Sequence, residues 1–296
     1  MTLDEVETFV CIAEVGGFTE ASRRLHRSQP AISRRVHELE RGLGAALFER
    51  VGRRVTLTDA GRALLPYAQA ALAAVRDGER AVRDRADVAQ AFRLAIVGTL
   101  ADSHIVDALR EFTARSTEVT VDLRTATSRE VSALVRNGEA DLGLRYGTDD
   151  DPKLESIPLG AEKLYVVVPA GHPVTETELP DLGPLRAEKW LSFPAERGGQ
   201  RSFRQLLEDQ LGSVSITTVD SLTAQKRLIE AGLGVALMPV NNIREELRIG
   251  SLRVIDVPSM HARIPVVAVR RAGGYQSRVV TDFLAVLTAA TPGLQP

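Results

Sequence analysis

A single cysteine, Cys11, stands in a chain of 296 residues, which excludes a disulfide within the chain and any multi-cysteine metal site. It lies in the apolar run Phe9-Val10-Cys11-Ile12-Ala13 and reads as a small core residue rather than a reactive thiol. The opening MTLDEVETFV lacks the positive segment and apolar stretch of a secretory signal. No run approaches the roughly 20 apolar residues that a membrane span needs, so a cytoplasmic protein with no membrane partner is expected. The five histidines (26, 37, 104, 172 and 261) show no metal-ligand spacing. Asp149-Asp150-Asp151 lacks the spacing and glycine of a calcium loop. There is no P-loop, nucleophile elbow or dinucleotide fingerprint. The expectation is therefore no enzyme, with no catalytic residue, no metal and no fixed cofactor.

The composition, 44% hydrophobic and 26% charged, is that of an ordinary globular protein, and the length allows two domains with full cores. Charge is unevenly placed. Between Ala21 and Thr58 nine arginines (23, 24, 27, 34, 35, 41, 50, 53 and 54) face three acids (Glu38, Glu40 and Glu49), in a chain of formal net charge −2. Such a concentration points to an anionic polymer. Residues 1–20 offset it with five acids and no lysine or arginine, so the orientation of side chains carries more weight than their charge.

Leu3, Val6, Phe9, Val10 and Ala13 recur at helical spacing, a first helix that Gly16-Gly17 ends. Thr19 is a natural N-cap for a second helix, with Phe18 as its hydrophobic staple and Ala21 and Leu25 as buried positions. His26 and Arg27 form a connection too short for anything but a helix-turn-helix corner. Ser28 caps a third helix, and Pro30 sits in its first turn, where a missing N–H is harmless. Ile32, Val36, Leu39 and Leu43 fall on one stripe of that helix, and Pro30, Ser33, Arg34, His37 and Arg41 lie roughly opposite. An outward side that begins with Gln29, Ser33 and Arg34 suits the major groove of double-stranded DNA. Arg donates two hydrogen bonds to guanine, Gln pairs with adenine, and Ser reaches bases or phosphates. Charge alone fits a solvated helix face as well. Leu47–Arg50 and Arg54–Leu57 then alternate as two short strands around Gly52, placing Arg53 and Arg54 at the tip of a wing beside phosphate or the minor groove.

Phe9, then GGFTEAS, L-x-x-SQPAISR, LE-x-x-LG-x-x-LFER and LTDAG run from Phe9 to Gly61. This pattern resembles the LysR-type transcriptional regulators, and it is specific because polar and glycine positions match as well as apolar ones. Ser22 stands where that family more often has alanine, a mild departure. The resemblance implies a winged helix-turn-helix over residues 1–58 that contacts DNA through Thr19, Ser28, Gln29, Pro30, Ser33, Arg34, His37, Arg53 and Arg54.

Residues 58–88 read as one long helix with Thr58 as its cap. Leu65, Ala68, Leu72, Val75, Glu79 and Val82 occupy heptad a and d positions, with Glu79 interrupting the seam, and Pro66 predicts a kink. A packed helix of a single domain is the alternative. The resemblance implies instead a linker helix over 59–90 that pairs two protomers, in a homodimer that assembles further into a homotetramer.

From Ala91 the pattern changes. FRLAIV, VTVDL, DLGLR, LYVVVP, WLSF, ITTV, VALMP, LRVIDV and IPVVAV read as buried strands, with helical stretches at 103–115, 128–137, 201–211 and 221–232. Such alternation gives an α/β fold with parallel sheets, and about 200 residues suit two lobes. The resemblance implies a periplasmic-binding-protein-like effector domain over 91–296. Lobe I takes about 91–163 and 268–296, lobe II about 164–267, and Leu164–Pro169 and Pro265–Arg270 are the crossing segments. AGLGVALMP at 231–239 matches the family as well.

Ligands of open α/β sheets bind beyond the carboxyl ends of strands. That rule selects Thr99, Leu100 and Ala101, then Thr127 and Ser128, then Arg145 and Tyr146, then Asp220 and Ser221. Hydroxyls at 99, 127 and 128 with Arg145 suit a small organic anion, although helix capping is the simpler role for Ser128 and Ser221. Arg201 is a further anion partner or a surface charge. The function expected is a sequence-specific transcription regulator controlled by a small-molecule effector of unknown identity. The resemblance adds RNA polymerase as a partner and activation as the usual mode. The competing readings are a cytoplasmic solute-binding protein carried by residues 91–296 and an enzyme fused to a DNA-binding module.

Overall fold

The computed structural model describes residues 1–51, 54–85, 90–102, 104–194 and 203–290. The chain separates into two compact units, residues 1–88 with 136–139 and residues 89–135 with 140–296.

In the first unit, α1 (Leu3–Val15) opens on a reciprocal cap, in which Glu5 N–H donates to Thr2 Oγ1 and Thr2 N–H to Glu5 Oε2. It ends at Gly16, whose φ of 73° is left-handed. Its buried face begins at Val6, and Leu3, expected inside, is exposed on the first turn. Helix α2 (Phe18–Arg24) starts two residues earlier than expected. Gly17 is its N-cap, and Thr19 lies inside the first turn, its carbonyl accepting from Ser22 Oγ. Phe18 is drawn inward by an edge contact with Phe48, ring centroids 5.8 Å apart, and that packing sets where the helix begins.

After the corner at His26 (φ 50°), α3 (Gln29–Leu43) is capped by Ser28 Oγ, which accepts from Ala31 N–H. It buries Ile32, Val36 and Leu39. Leu43, expected on the same stripe, is 44% exposed, because the helix ends at Gly44 before another turn packs over it. Strands β1 (Phe48–Val51) and β2 (Arg54–Leu57) pair antiparallel, Phe48 opposite Leu57. The Glu40 carboxylate accepts from the N–H groups of Leu47, at 2.7 Å, and Phe48, at 3.3 Å, fixing the hairpin to α3.

Helix α4 (Asp59–Arg85) runs unbroken through Pro66. Thr58 caps it, accepting from Gly61 N–H, while its own hydroxyl donates to the Ala46 carbonyl. The heptad expectation is only partly met. Leu65, Ala68 and Leu72 pack against Val6, Phe9, Val10, Leu39 and Leu47 in this unit's own core, whereas Val75 and Val82 are exposed.

The second unit contains β3 (Gln90–Val97), a 3-10 turn at Gly98–Asp102, α5 (His104–Arg115), β4 (Val119–Ala126), α6 (Ser128–Arg136) and β5 (Leu142–Tyr146). Then come β6 (Leu154–Pro169), β7 (Lys189–Ser192), α7 (Phe203–Leu211), β8 (Ser215–Thr218), α8 (Leu222–Glu230) and β9 (Val235–Pro239). A 3-10 turn at Val240–Ile243, α9 (Arg244–Ile249), β10 (Leu252–Ile255), β11 (Arg263–Arg271) and α10 (Arg278–Ala290) complete it. The strands lie in the order β4-β3-β5-β11-β6-β9-β7-β8, with β10 on β6. Pairing is parallel between β3 and β4, β3 and β5, β7 and β8, and β7 and β9. It is antiparallel wherever β6 or β11 takes part, so an all-parallel expectation is corrected to a mixed sheet.

Of the separate cores of this unit, two are built on large aromatic residues. Phe92, Phe112 and Phe283 form a ring cluster with centroids 5.1–5.9 Å apart, joined by Leu94, Leu142 and Val266. Trp190 is fully buried with Val166, Leu207 and Val235 in the other. The first half of β6 pairs with β11 and its second half with β9 and β10, so β6 passes from one core to the other near Glu162.

Candidate functional site

Two groups of residues stand out, one in each unit. In the first, Ser28, Gln29, Pro30, Ser33, Arg34 and His37 are all exposed, Ser28 as the N-cap of α3 and Gln29 at its first position, while Pro30, Ser33, Arg34 and His37 lie on the side opposite the buried stripe. Thr19 is exposed on α2. Arg53 lies outside the described residues, as does the side chain of Arg54. The arginines divide into two kinds. Arg23 pairs with Glu20 at 3.0 Å, Arg24 with Glu14 at 3.1 Å, and Arg35 with Asp4 at 2.6 Å. Arg27, Arg34, Arg41 and Arg50 are exposed and form no ion pair with a described residue. Arg35 thus fastens α3 to α1, and Arg34, one residue away, is left for a partner. Burial, the largest cause, and the neighbouring Glu139 push the Glu14 carboxyl above its ordinary value, against the Arg24 charge.

In the second unit, the residues at the strand ends are engaged in different ways. Thr127 is taken up by α6: its N–H and hydroxyl both donate to Glu130 at 3.0 Å, and Glu130 N–H returns to its Oγ1. Thr127, not Ser128, therefore caps the helix, and Ser128 is buried in the first turn. Ser221 caps α8 through Ala224 N–H, and Asp220 is exposed beside it. The Arg145 guanidinium donates to Ser132 Oγ at 2.7 Å, to Asp149 and to the Tyr146 carbonyl. It is occupied within its own half. Leu100 is part of the aromatic core, and Ala101 packs against it. Arg201 lies outside the described residues.

Thr99 and Tyr146 do come together, with residues the strand-end reading missed. The Tyr146 hydroxyl donates to Glu162 Oε2 at 2.8 Å, and Asn241 Nδ2 donates to Glu162 Oε1 at 3.2 Å. Asn241 Oδ1 in turn accepts from Arg244 at 2.7 Å. Glu162 is only 4% exposed. Burial first, then the Glu162 charge, raise the Tyr146 phenol well above its ordinary value, so it acts only as a neutral donor. Thr99 and Asn242 approach the same phenol oxygen and oppose that rise, yet neither Thr99 Oγ1 nor Asn242 Oδ1 makes a hydrogen bond of normal geometry. Asn241 and Asn242 follow VALMP after Val240, and extending the strand-end rule to that strand finds them. Glu162 lies within a strand, where that rule does not look.

No group of three or more His, Cys, Asp or Glu side chains among the described residues is arranged to hold a metal ion. No helix of the described residues is long and apolar enough to cross a membrane.

Two family models match the chain. Residues 3–62 match a bacterial regulatory helix-turn-helix protein of the lysR family, and residues 85–292 match a LysR substrate binding domain. A probable RuBisCO transcriptional regulator of Trichormus variabilis is 26% identical over 294 residues, covering 95% of this chain and 86% of the relative. The HTH-type transcriptional regulator CitR of Bacillus subtilis is 27% identical, covering 96% of this chain and 97% of the relative. Full-length CbnR, crystallised with its target DNA, superposes with a TM-score of 0.65 at 26% identity, over 98% of this chain and all of that one.

Proposed function

The chain belongs to the LysR-type transcriptional regulator family, DNA-binding regulators controlled by small-molecule effectors, and from that premise we propose how its own residues divide the work. Gln29, Ser33, Arg34 and His37 read base edges in the major groove. Thr19, Ser28 and Pro30 set the register on the backbone, and Arg53 and Arg54 extend the contact to phosphates or the minor groove. The observation that carries this reading is the orientation of α3, with Ile32, Val36 and Leu39 buried and the reading residues exposed. The crystal of CbnR with its target DNA supports duplex DNA as the partner.

The working division is a DNA-binding part over 1–58, a linker helix over 59–90 and an effector part over 91–296. Exposed Tyr67, Val75 and Val82 on α4 supply the contact for a second protomer. Two α3 helices then reach successive major grooves about 34 Å apart. A homotetramer, contact with RNA polymerase, activation and a cytoplasmic location complete the proposal. The chain acts by binding and not by catalysis. The effector sits where β6 passes between the two cores, near Thr99 and Tyr146, and acts by binding one arrangement of the two halves more tightly than another.

Selection of a random duplex pool by the purified full-length protein tests the DNA reading. The expected result is one enriched motif with two-fold symmetry, its half-sites about one or more helical turns apart. Recovery of the unselected pool contradicts it.

A further inference from the structure

Glu162 is a buried carboxylate whose partners, the Tyr146 hydroxyl and the Asn241 amide, are both uncharged. Nearby cations are committed elsewhere. Arg145 is held by Asp149 and Ser132, Lys163 by Asp256 at 2.5 Å, and Arg244 by Asn241 Oδ1. Glu162 forms no ion pair with a described residue.

A carboxylate offers about four lone-pair sites, and Tyr146 and Asn241 fill two. The Thr99 and Asn242 side chains approach the same phenol, and Thr99 Oγ1 and Asn242 Oδ1, on residues 8% and 4% exposed, make no hydrogen bond of normal geometry. The junction therefore holds unfilled acceptor positions on Glu162, Thr99 and Asn242, and no cation among the described residues pairs with Glu162. A buried charge is costly unless it is paired as well as hydrogen-bonded.

Resting on the effector reading above, we infer that the ligand is a cation: a small organic molecule whose ammonium, amidinium or guanidinium group is received by Glu162, with Thr99 Oγ1 and Asn242 Oδ1 taking its further N–H groups. This replaces the organic anion expected from Arg145 and the hydroxyls of Thr99, Thr127 and Ser128, since Arg145 and Thr127 are engaged within their own half. Glu162 touches Tyr146, which belongs with the first core, and Asn241, which follows β9 of the second. A cation seated on it meets both halves at once, which couples ligand binding to their arrangement.

Calorimetric titration of the full-length protein tests the inference, with putrescine, agmatine and benzamidine as cationic probes beside succinate, benzoate and neutral benzamide. At least one cationic probe binds and the anions do not. Glu162→Gln lowers that probe's affinity about tenfold or more, the scale of a hydrogen bond to a charged group. Binding of anions in preference to cations, binding of no cationic probe, or unchanged cation affinity in a folded Glu162→Gln protein overturns it. If Glu162→Gln does not fold, Tyr146→Phe keeps the carboxylate and removes one neutral donor. Cation binding persists in that variant, and its loss also overturns the inference. The regulator reading is judged separately by selection from the random duplex pool. Selective DNA binding without cation binding sinks only the ligand assignment, and failure to select any sequence sinks the regulator reading.

Discussion

Gly61 and Gly78 lie in the same helix, α4, and the same substitution at each is expected to have opposite effects. A Cβ at Gly61 meets the Leu47 carbonyl oxygen at 2.2 Å and Leu57 Cδ2 at 2.8 Å, whereas a Cβ at Gly78 meets nothing within 4 Å. Alanine in place of glycine gains about 1 kcal/mol of helix propensity at an exposed interior position, so Gly78→Ala stabilises by up to about that amount. At Gly61 the same gain is opposed by overpacking, about 1–3 kcal/mol. The Leu47 carbonyl also accepts the Thr58 N–H at 3.0 Å, and displacing it costs a further ~0.5–1.5 kcal/mol. The steric effect wins, and Gly61→Ala destabilises the N-terminal unit by about 1–3 kcal/mol net. Thermal melting followed by far-UV circular dichroism reads the loss of this helical unit. Fluorescence of Trp190, the one tryptophan of the chain, reports the other unit. Gly61→Ala lowers the helical transition by several degrees, on the order of 4–8 °C per kcal/mol in a domain of this size, and Gly78→Ala raises it. Equal stabilisation by both substitutions refutes the steric argument.

Gly143 in β5 is walled in by side chains: a Cβ there lies 2.6–2.9 Å from Val131, Val269 and Val135 methyls. Gly143→Ala therefore costs about 1–3 kcal/mol of effector-domain stability in urea unfolding, and a neutral result contradicts the packing described. Glu130 offers a pH test. The Thr127 backbone N–H, then its hydroxyl, hold the Glu130 carboxyl below its ordinary value. Its folded pKa is thus lower than its unfolded one, so the cap's contribution is present above the ordinary carboxylate range and is lost as pH falls through the folded value. Between about pH 6 and pH 3, a span that brackets the ordinary Glu value, wild type loses melting temperature more steeply than Glu130→Gln, which keeps the hydrogen bonds without titrating. Parallel curves contradict this.

The sequence made α3 legible because three local signals agree there: a Ser28 cap, Pro30 in the first turn and an apolar stripe of period near 3.6. Its last position, Leu43, was misplaced because the stripe continues in sequence after the helix has run out of neighbours. At α2, Thr19 has better capping chemistry than Gly17, and the contact of Phe18 with Phe48, thirty residues away, overrides it. The heptads of α4 cannot by themselves say which helix they meet. Leu65, Ala68 and Leu72 meet α1 of the same chain, and only beyond them does the apolar seam face outward. The first half of β6, LESIPLGAEK, did not read as a strand. Pro158, Gly160 and its charges obscure the alternation, and its pairing with β11 shifts register at Val266/Val267, as a bulge does.

The candidate effector site was half legible. The strand-end rule supplied Thr99 and Tyr146 of the group around Glu162. Arg145 shares the end of β5 with Tyr146, but neighbours on a strand face opposite ways, and it turns to Ser132 and Asp149 instead. Glu162 joins the group only because β6 carries it between the two cores, a placement set by long-range strand pairing.

Specific DNA recognition rests on α3 reading sequence through Arg34. Its most direct measurement is the affinity of Arg34→Ala, against wild type, for the selected duplex and for a scrambled duplex of equal length and salt. The expected loss is about 1–3 kcal/mol on the selected duplex, the scale of a bidentate base contact, with little change on the scrambled one. An equal loss on both makes Arg34 a phosphate contact and contradicts the claim that this face of α3 reads bases.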